Sequence, residues 1–406
     1  MADELIDLEE ARARVLAHAK PLDSEEVPLE HALDRVLGTD LVAGEPVPGF
    51  DNSAMDGYAA VAADTAGAGS RPVRVPVVDE SRAGRPARRD LSPGAAIRIS
   101  TGAMVPAGAD AVVRLEDTVE SDRAIEIRAA VEPGRNLRRA GEDVRAGATV
   151  LRRGTPIGPA ELGVLASMGA DPVACVRRAR TAVLTTGDEL RGPRESLEPG
   201  QVRDTNAYAV PAQARRAGAE VVDLQTVPDD YDATVGALRT GLRADVLVIC
   251  GGMSVGVHDH VKPALEELGV APQFWGVALR PGKPTWFGVH RDRTLVFGLP
   301  GNPVSAMVTF HLLARPALAA LAAREPDAAR LTAAFDAEYP KRPGRAHAVR
   351  CRLEARDDGW HVRPTREQGS HILTSMLEAQ ALALIERERG DVSAGERVTV
   401  ELLGVA

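Results

Sequence analysis

"ADVLVICGGMSVGVHDHVKPAL", Ala244–Leu265, carries the decision about the fold. It opens as an apolar run of strand type, dense enough to be buried on both faces, and ends in two glycines. From 261 to 268 it reads as a helix. Between them stand His258, Asp259 and His260. Three readings fit that middle: a metal site, an anion cradle at a strand end, or a capped helix start.

The surrounding chain repeats the same step. From about Val176, "TAVLTTG" reads as a buried strand, "NAYAVPAQARRAG" as a helix ended by Gly218, and "AEVVDLQTV" as a strand. "YDATVGALRTGL" follows as a helix, then the opening strand, then strands "FWGVALRPG" and "TLVFGLPG" and a helix over 303–322. Continuous apolar strands alternating with helices of this length predict a mostly parallel sheet covered on both faces. Ligands of such sheets sit beyond the carboxyl ends of the strands. The glycine-rich loops here all follow strands, so one sheet edge should carry them.

The rest of the 406 residues divides around this domain. Leu5, Leu8, Ala11, Val15 and Leu16 predict an amphipathic helix over 5–20, with a second helix around Leu29–Val36. Residues 43–144 form a β-rich module of short runs ("PVRVPVV", "AAIRIS", "ADAVVRLE", "AIEIRAA") between Gly- and Pro-rich turns. "GPAELGVLASMGA" (158–170) is helical, with Gly169 as its C-cap. The expected domains are therefore 1–42 with 145–175 as a small helical linking region, 43–144, an α/β domain at 176–325, and a C-terminal small β domain at 326–406.

Bulk properties narrow the class. A net charge of −9 argues against nucleic-acid binding driven by overall charge, while leaving room for a local cluster of cations. Cys175, Cys250 and Cys351 are odd in number and far apart, with no CxxC pair, which fits a reducing cytoplasm rather than a disulfide framework. The N-terminus lacks a signal layout, and no run is read as approaching the roughly 18–20 apolar residues of a membrane span. A cytoplasmic protein is expected.

Four strand-end loops are suited to anions. "TTGDEL" (185–190) offers a turn at Gly187 and two acids, Asp188 and Glu189, able to hold a cation. "GGMSVG" (251–256) brings backbone close to an oxyanion, with the following helix adding its positive end. It lacks the GK[ST] ending of a Walker loop. "LRPGKP" (279–284) sets Arg280 and Lys283 three residues apart, and "LPGNPVSA" (299–306) puts Ser305 in a first helical turn. Each loop alone is as well explained as a structural turn; four on one edge are not. In the β-rich module, "PGFDNSAMDGYA" (48–59) is either a set of Asx turns or a site loop, and "GRNLRRAGEDV" (134–144) a solvated charged turn or a site.

Those stretches with "ISTGAMVPAGADAVV" (99–113), in this order and over about residues 5–322, resemble the molybdopterin molybdenumtransferases, bacterial molybdenum-insertion enzymes related to the E domain of plant and animal molybdenum-cofactor proteins. The likeness continues more weakly through "QGSHILTSM" (368–376). It implies that adenylylated molybdopterin is bound, AMP is cleaved off with a divalent cation (Mg2+), and molybdate is inserted. By motif matching, Asp56, Asp143, Glu189, Asp229 and Asp259 are the implied catalytic acids, with Glu189 and Asp259 as metal ligands. Thr101, Arg138, Gly251, Gly252, Ser254, Gly256, Arg280, Lys283, Ser305, Arg342 and Ser370 are the implied substrate-binding residues. Asp229 competes with the adjacent Asp230 for its match. The resemblance also implies a homodimer with a composite site, transient contact with the adenylyltransferase, and no nucleic-acid or membrane partner.

Some positions depart from the family pattern. Gly276 stands where "FWK" is common, Arg280 stands where lysine is usual, and the acid often found after Gly256 is missing. These bear on substrate affinity and on molybdate against tungstate. Two other functions were weighed: an adenylyltransferase-like enzyme, which the β-rich module disfavours, and a non-catalytic scaffold, which the retained acids disfavour. For the opening stretch, the resemblance favours a glycine cradle with Asp259 as the functional acid, also able to cap the helix. His258 and His260 become flanks, since adjacent residues rarely ligate one ion and no distant pair completes a zinc set.

Overall fold

The computed structural model describes residues 5–253, 260–326, 329–365 and 367–404. They form two compact units, one from the described residues of Met1–Glu26, Asp34–Gly38 and Ala174–Ala406, the other from Val27–Leu33 and Thr39–Val173. The architecture is multidomain α/β, as the strand and helix rhythm predicts.

In the first unit we number the strands β1 Arg180–Thr186, β2 Glu220–Val227, β3 Val246–Cys250, β4 Val270–Trp275, β5 Leu279–Arg280, β6 Trp286–His290, β7 Thr294–Leu299, β8 Arg330–Phe335, β9 Ala346–Arg356, β10 Gly359–Pro364, β11 Ala381–Ile385 and β12 Arg397–Leu402. The α/β sheet has the order β2-β1-β3-β7-β6-β4. Its first four strands are parallel, and β6 and β4 are antiparallel additions. Alternate residues of β1, β3 and β7 feed two cores. Val183, Val248 and Phe297 pack with Val210 and Leu313 on one face, while Leu184, Ile249 and Val296 pack with Leu238 and Leu265 on the other. That double burial is why these strands lack polar alternation.

The C-terminal strands close a five-stranded barrel, β9-β10-β8-β12-β11, through a β9–β11 pairing, and β5 adds to its β9 edge. The short β5 therefore belongs to the barrel although it lies between two strands of the α/β sheet. In the second unit, six short strands form one sheet that includes Gly57–Ala60, Val73–Ser81, Ala96–Ile99 and Ala111–Arg114.

Three expectations are corrected. The helix around Leu29–Val36 is only a 3-10 turn, Leu29–His31. Asp34 takes φ +60°, and Leu37 is committed to a bridge with Cys175, so the chain cannot continue helically. Strand β6 was not foreseen; positive φ at Arg291 and Asp292 makes the tight turn that folds it onto β7. Finally, the helical run Pro303–Leu321 is, by length and composition alone, apolar enough to cross a membrane. Its composition follows from burial, since Val304, Phe310, Leu312, Leu313 and Leu318 lie in the core.

A π-helical turn, Phe310–Ala314, interrupts that run and brings His311 to 3.6 Å from Glu401. Glu401 is fully buried and ties three elements together. Its Oε1 accepts from Arg12 Nη2 at 2.6 Å, on helix Leu8–His18, and from Arg330 Nε at 3.0 Å, on β8. Removing one member of a buried pair leaves the other charge uncompensated. Glu401→Ala should therefore lower stability by about 3–5 kcal/mol in denaturant unfolding. A loss within the scatter of exposed positions would show the cluster to be dispensable.

Candidate functional site

The second unit gathers one group of sequence-selected residues. Asn52–Ser53 pairs with Leu137–Arg138, and Asn52 also bridges Met104, so the stretches 48–59, 99–105 and 134–144 converge. Asp56 Oδ1 accepts from the Thr101 amide at 2.8 Å, which fixes that exposed acid against its turn. Arg138 and Asp143 are exposed on the same loop cluster. Asp51 braces it, accepting from the Ala140 amide at 2.8 Å and from Arg139 Nη1 at 2.5 Å. The Ala140 hydrogen bond and the Arg139 charge hold the Asp51 carboxyl below its usual range, against the opposing effect of burial. An open cleft lies alongside, lined by Pro46, Arg139, Gly141, Glu142 and Arg145.

In the first unit the carboxyl ends of β1, β2, β3 and β7 carry the second group. Gly187, at φ +148°, donates its amide to the Val227 carbonyl at 3.2 Å. That bond joins the ends of β1 and β2, so this amide is not free to donate to an anion. Asp188 and Asp229 brace each other: the Asp229 amide donates to Asp188 Oδ1 at 3.1 Å. Asp230 is instead the N-cap of helix Tyr231–Gly241, donated to by Ala233 at 2.8 Å, so the two adjacent acids have separate duties. Glu189 is exposed, with its carboxyl lying where a Cβ on Gly187 would project.

The glycine turn after β3 is tightly packed. Gly251 has φ +99° and donates to the Leu299 carbonyl, and Gly252 has φ +63°. A Cβ on Gly252 would run into the Val261 side chain and Thr186 Oγ1. Met253 is anchored twice, its thioether filling the space over Gly298 and its carbonyl accepting from Trp275 Nε1 at 3.3 Å. Ser254, Gly256, His258 and Asp259 lie outside the described residues. The following helix, Val261–Glu267, has only seven residues. Gly301 lies against the Gly251 backbone, and its carbonyl accepts from Asn206 Nδ2 at 2.7 Å.

The cationic turn 279–284 is tied to the barrel through the β5–β9 pairing. Arg280 and Lys283 are both exposed. Pairing of β5 with β9 sets Arg280 opposite His347. Ser370 is joined to the loop after β7, since Asn302 Nδ2 donates to its Oγ at 3.3 Å and the Val304 amide to its carbonyl at 3.3 Å. Ser305, next in the chain, is buried in the first turn of its helix. Arg342 is exposed in the connection from β8 to β9.

Sequence reasoning missed Arg350. Its guanidinium is completely buried, and Nη2 donates to the Glu367 and Gly369 carbonyls at 3.3 and 3.2 Å. Nε and Nη1 have no protein partner among the described residues. Burial lowers its pKa from the usual arginine value, yet an arginine stays charged. Nothing in "AHAVRCRLE" singles Arg350 out, since Arg352 follows two residues later on the same strand.

A metal fit can be judged from the donors. Glu189, Asp188 and Asp229 offer the oxygen ligands that suit a hard cation such as Mg2+. Among the described residues, however, no three His, Cys, Asp or Glu side chains form a cluster able to hold an ion. These residues alone do not make a metal site.

The neighbourhood of Arg280 sets one ionisation. Burial first, then the charges of Arg280, Lys341 and Arg345, push the His347 ring down to about 4, and its Nδ1 lies 2.9 Å from the Tyr339 hydroxyl. His347 is therefore neutral at pH 7 and adds no second charge beside Arg280. A lowered folded-state value means that the unfolded chain binds the proton more readily. Stability from this group should be present above the ordinary 6.5 and be lost as pH falls toward about 4. An NMR titration of the ring should give a midpoint near 4; a midpoint at or above 6.5 would contradict the burial argument.

Similarity to known proteins follows the same division. The MoeA N-terminal region (domain I and II) matches residues 6–169, a probable molybdopterin binding domain matches 182–320, and the MoeA C-terminal region (domain IV) matches 332–403. The molybdopterin molybdenumtransferase of Haemophilus influenzae is 36% identical over 403 residues, covering 98% of each chain. Molybdopterin molybdenumtransferase 2 of Mycobacterium tuberculosis is 38% identical over 384 residues, 92% of this chain and 94% of the relative. The crystal structure of a molybdopterin biosynthesis MoeA protein from Pyrococcus horikosii superposes with a TM-score of 0.86 at 31% identity, over 99% of this chain and 100% of that one. This chain belongs to the MoeA family of molybdopterin molybdenumtransferases.

Proposed function

We propose that this protein is a molybdopterin molybdenumtransferase that takes adenylylated molybdopterin and molybdate, releases AMP and forms molybdenum cofactor. The observation that carries the reading is the whole-length likeness to molybdopterin molybdenumtransferases, and it is supported by the exposed Arg280 and Lys283 on a turn tied to barrel strand β9, with the buried Arg350 guanidinium in the same strand. Molybdate is a tetrahedral dianion, and planar guanidinium donors match such oxyanions. Arg280, Lys283, Ser370 and Arg350 would hold molybdate, with Arg342 on the outer rim and Ser305 beneath the loop after β7.

The glycine turn Gly251–Gly252, continued by Ser254 and Gly256, would receive the phosphate-bearing part of the other substrate, where only glycine lets the backbone approach. Glu189, Asp229 and Asp259 would orient water and bear on AMP release, and Mg2+ belongs to this reading as their cation. In the second unit, Asp56, Thr101, Arg138 and Asp143 form a polar surface that would contact the same substrate within a homodimer. A cytoplasmic enzyme that meets the adenylyltransferase transiently completes the reading.

The direct test supplies purified protein with adenylylated molybdopterin, Mg2+ and molybdate, and scores AMP and active cofactor together. Both should appear in step; production of neither would refute the reading, and adenylylation of free molybdopterin from ATP would point to the earlier reaction. Arg350→Gln should lower kcat/KM for molybdate by about 10–100-fold, the range for losing charge-assisted hydrogen bonds. Lys283→Ala should raise the KM for molybdate while changing affinity for adenylylated molybdopterin less. Equal loss for both substrates would contradict this division of the site.

A further inference from the structure

The segment before the first helix makes an unexpected attachment. Ile6 forms a parallel bridge with Val277: its amide donates to the Gly276 carbonyl at 3.2 Å, and its carbonyl accepts from the Ala278 amide at 2.8 Å. The same three residues carry the cationic turn on their other bonds. The Gly276 amide donates to the Thr285 carbonyl at 2.9 Å, the Val277 amide to the Lys283 carbonyl at 3.0 Å, and the Ala278 carbonyl accepts from Ala346 at 2.7 Å. Residues 276–278 are thus a node with the Leu5–Ile6 segment on one side and the 280–285 turn on the other.

Gly276 is shaped for this contact. It has φ +84°, and a Cβ there would lie 2.7 Å from Leu5 Cδ2. Leucine 5 therefore occupies the space that any side chain at 276 would need. Asp7 then caps the helix Leu8–His18, receiving the Glu9 amide at 2.9 Å, so the segment is held at both ends.

We propose that Leu5–Ile6 is a positioning strap, which fixes the Arg280–Lys283 turn for oxyanion binding through the node at 276–278. The proposal rests on the reading of Arg280 and Lys283 as molybdate-binding groups. Ile6→Pro removes the donor to Gly276. Gly276→Ala displaces Leu5 with the sequence of the N-terminal segment unchanged, and decides the matter if Ile6→Pro does not fold. Ile6→Val keeps both hydrogen bonds and should behave as wild type.

Two measurements are read together: amide hydrogen exchange of residues 276–285, and the molybdate dependence of AMP and cofactor formation. Ile6→Pro and Gly276→Ala should exchange faster there. They should raise the molybdate KM about tenfold, the change carried by loss of one backbone hydrogen bond, with kcat at saturating molybdate held and Tm lowered by no more than a few degrees. Faster exchange with an unchanged KM would overturn the proposal, as would a parallel fall in kcat and Tm. If the wild-type protein does not consume molybdate, the functional reading fails, and the strap is judged on exchange alone; unchanged exchange then refutes it.

Discussion

Two residue pairs, Leu279 with Ala346 and Arg280 with His347, hold the first unit's functional edge together. Through them a two-residue strand leaves the α/β sheet and joins the barrel. Without that pairing, the exposed cations of the 280–283 turn would belong to a loop with no fixed relation to Arg350. The Asn302–Ser370 and Val304–Ser370 contacts make a second attachment, from the loop after β7 to the loop after β10. A third, the Glu401 cluster, lies within the buried interior and joins helix Leu8–His18 to β8 and β12. Three attachments of different chemistry constrain one domain pair, so small shifts at the cationic edge are resisted by the packing of the whole unit.

The electrostatics of that edge are economical. Arg280 and Lys283 remain exposed, where solvation keeps their charges inexpensive, while Arg350 is buried against carbonyls. His347 is held neutral, and Lys341 spends its ammonium on the Arg387 and Arg389 carbonyls, at 3.0 and 2.5 Å. Burial lowers the Lys341 pKa, again because a charge there is costly. The proposed site, with two exposed cations and a buried one in the adjoining strand, matches the charge of a small dianion.

Much of this was legible in the sequence, for identifiable reasons. The apolar runs of β3 and β7, and the shorter Ala182–Leu184 of β1, show no polar alternation, which is the pattern of a sheet covered on both faces. The glycines at 251 and 252 announced a turn that only glycine can make. What the sequence concealed depends on partners distant in the chain. Leu29–Val36 has helical spacing, but the bridge from Leu37 to Cys175 overrides it. Strand β5 is two residues long, and its partner β9 lies beyond the next three strands. Arg350 is one arginine among many, and its burial is set by the barrel rather than by its neighbours. Gly276 read as a missing lysine, whereas the structure places Leu5 in the space its side chain would need.

The central claim is that the barrel edge and the 280–283 turn together form an oxyanion site. Crystals of the protein grown with molybdate, measured at the molybdenum absorption edge, test it most directly. The account places the anomalous peak within hydrogen-bonding reach of Arg350 and Ser370, with Arg280 and Lys283 closing over it. A well-occupied peak elsewhere, out of reach of Arg350 and Ser370, would contradict it.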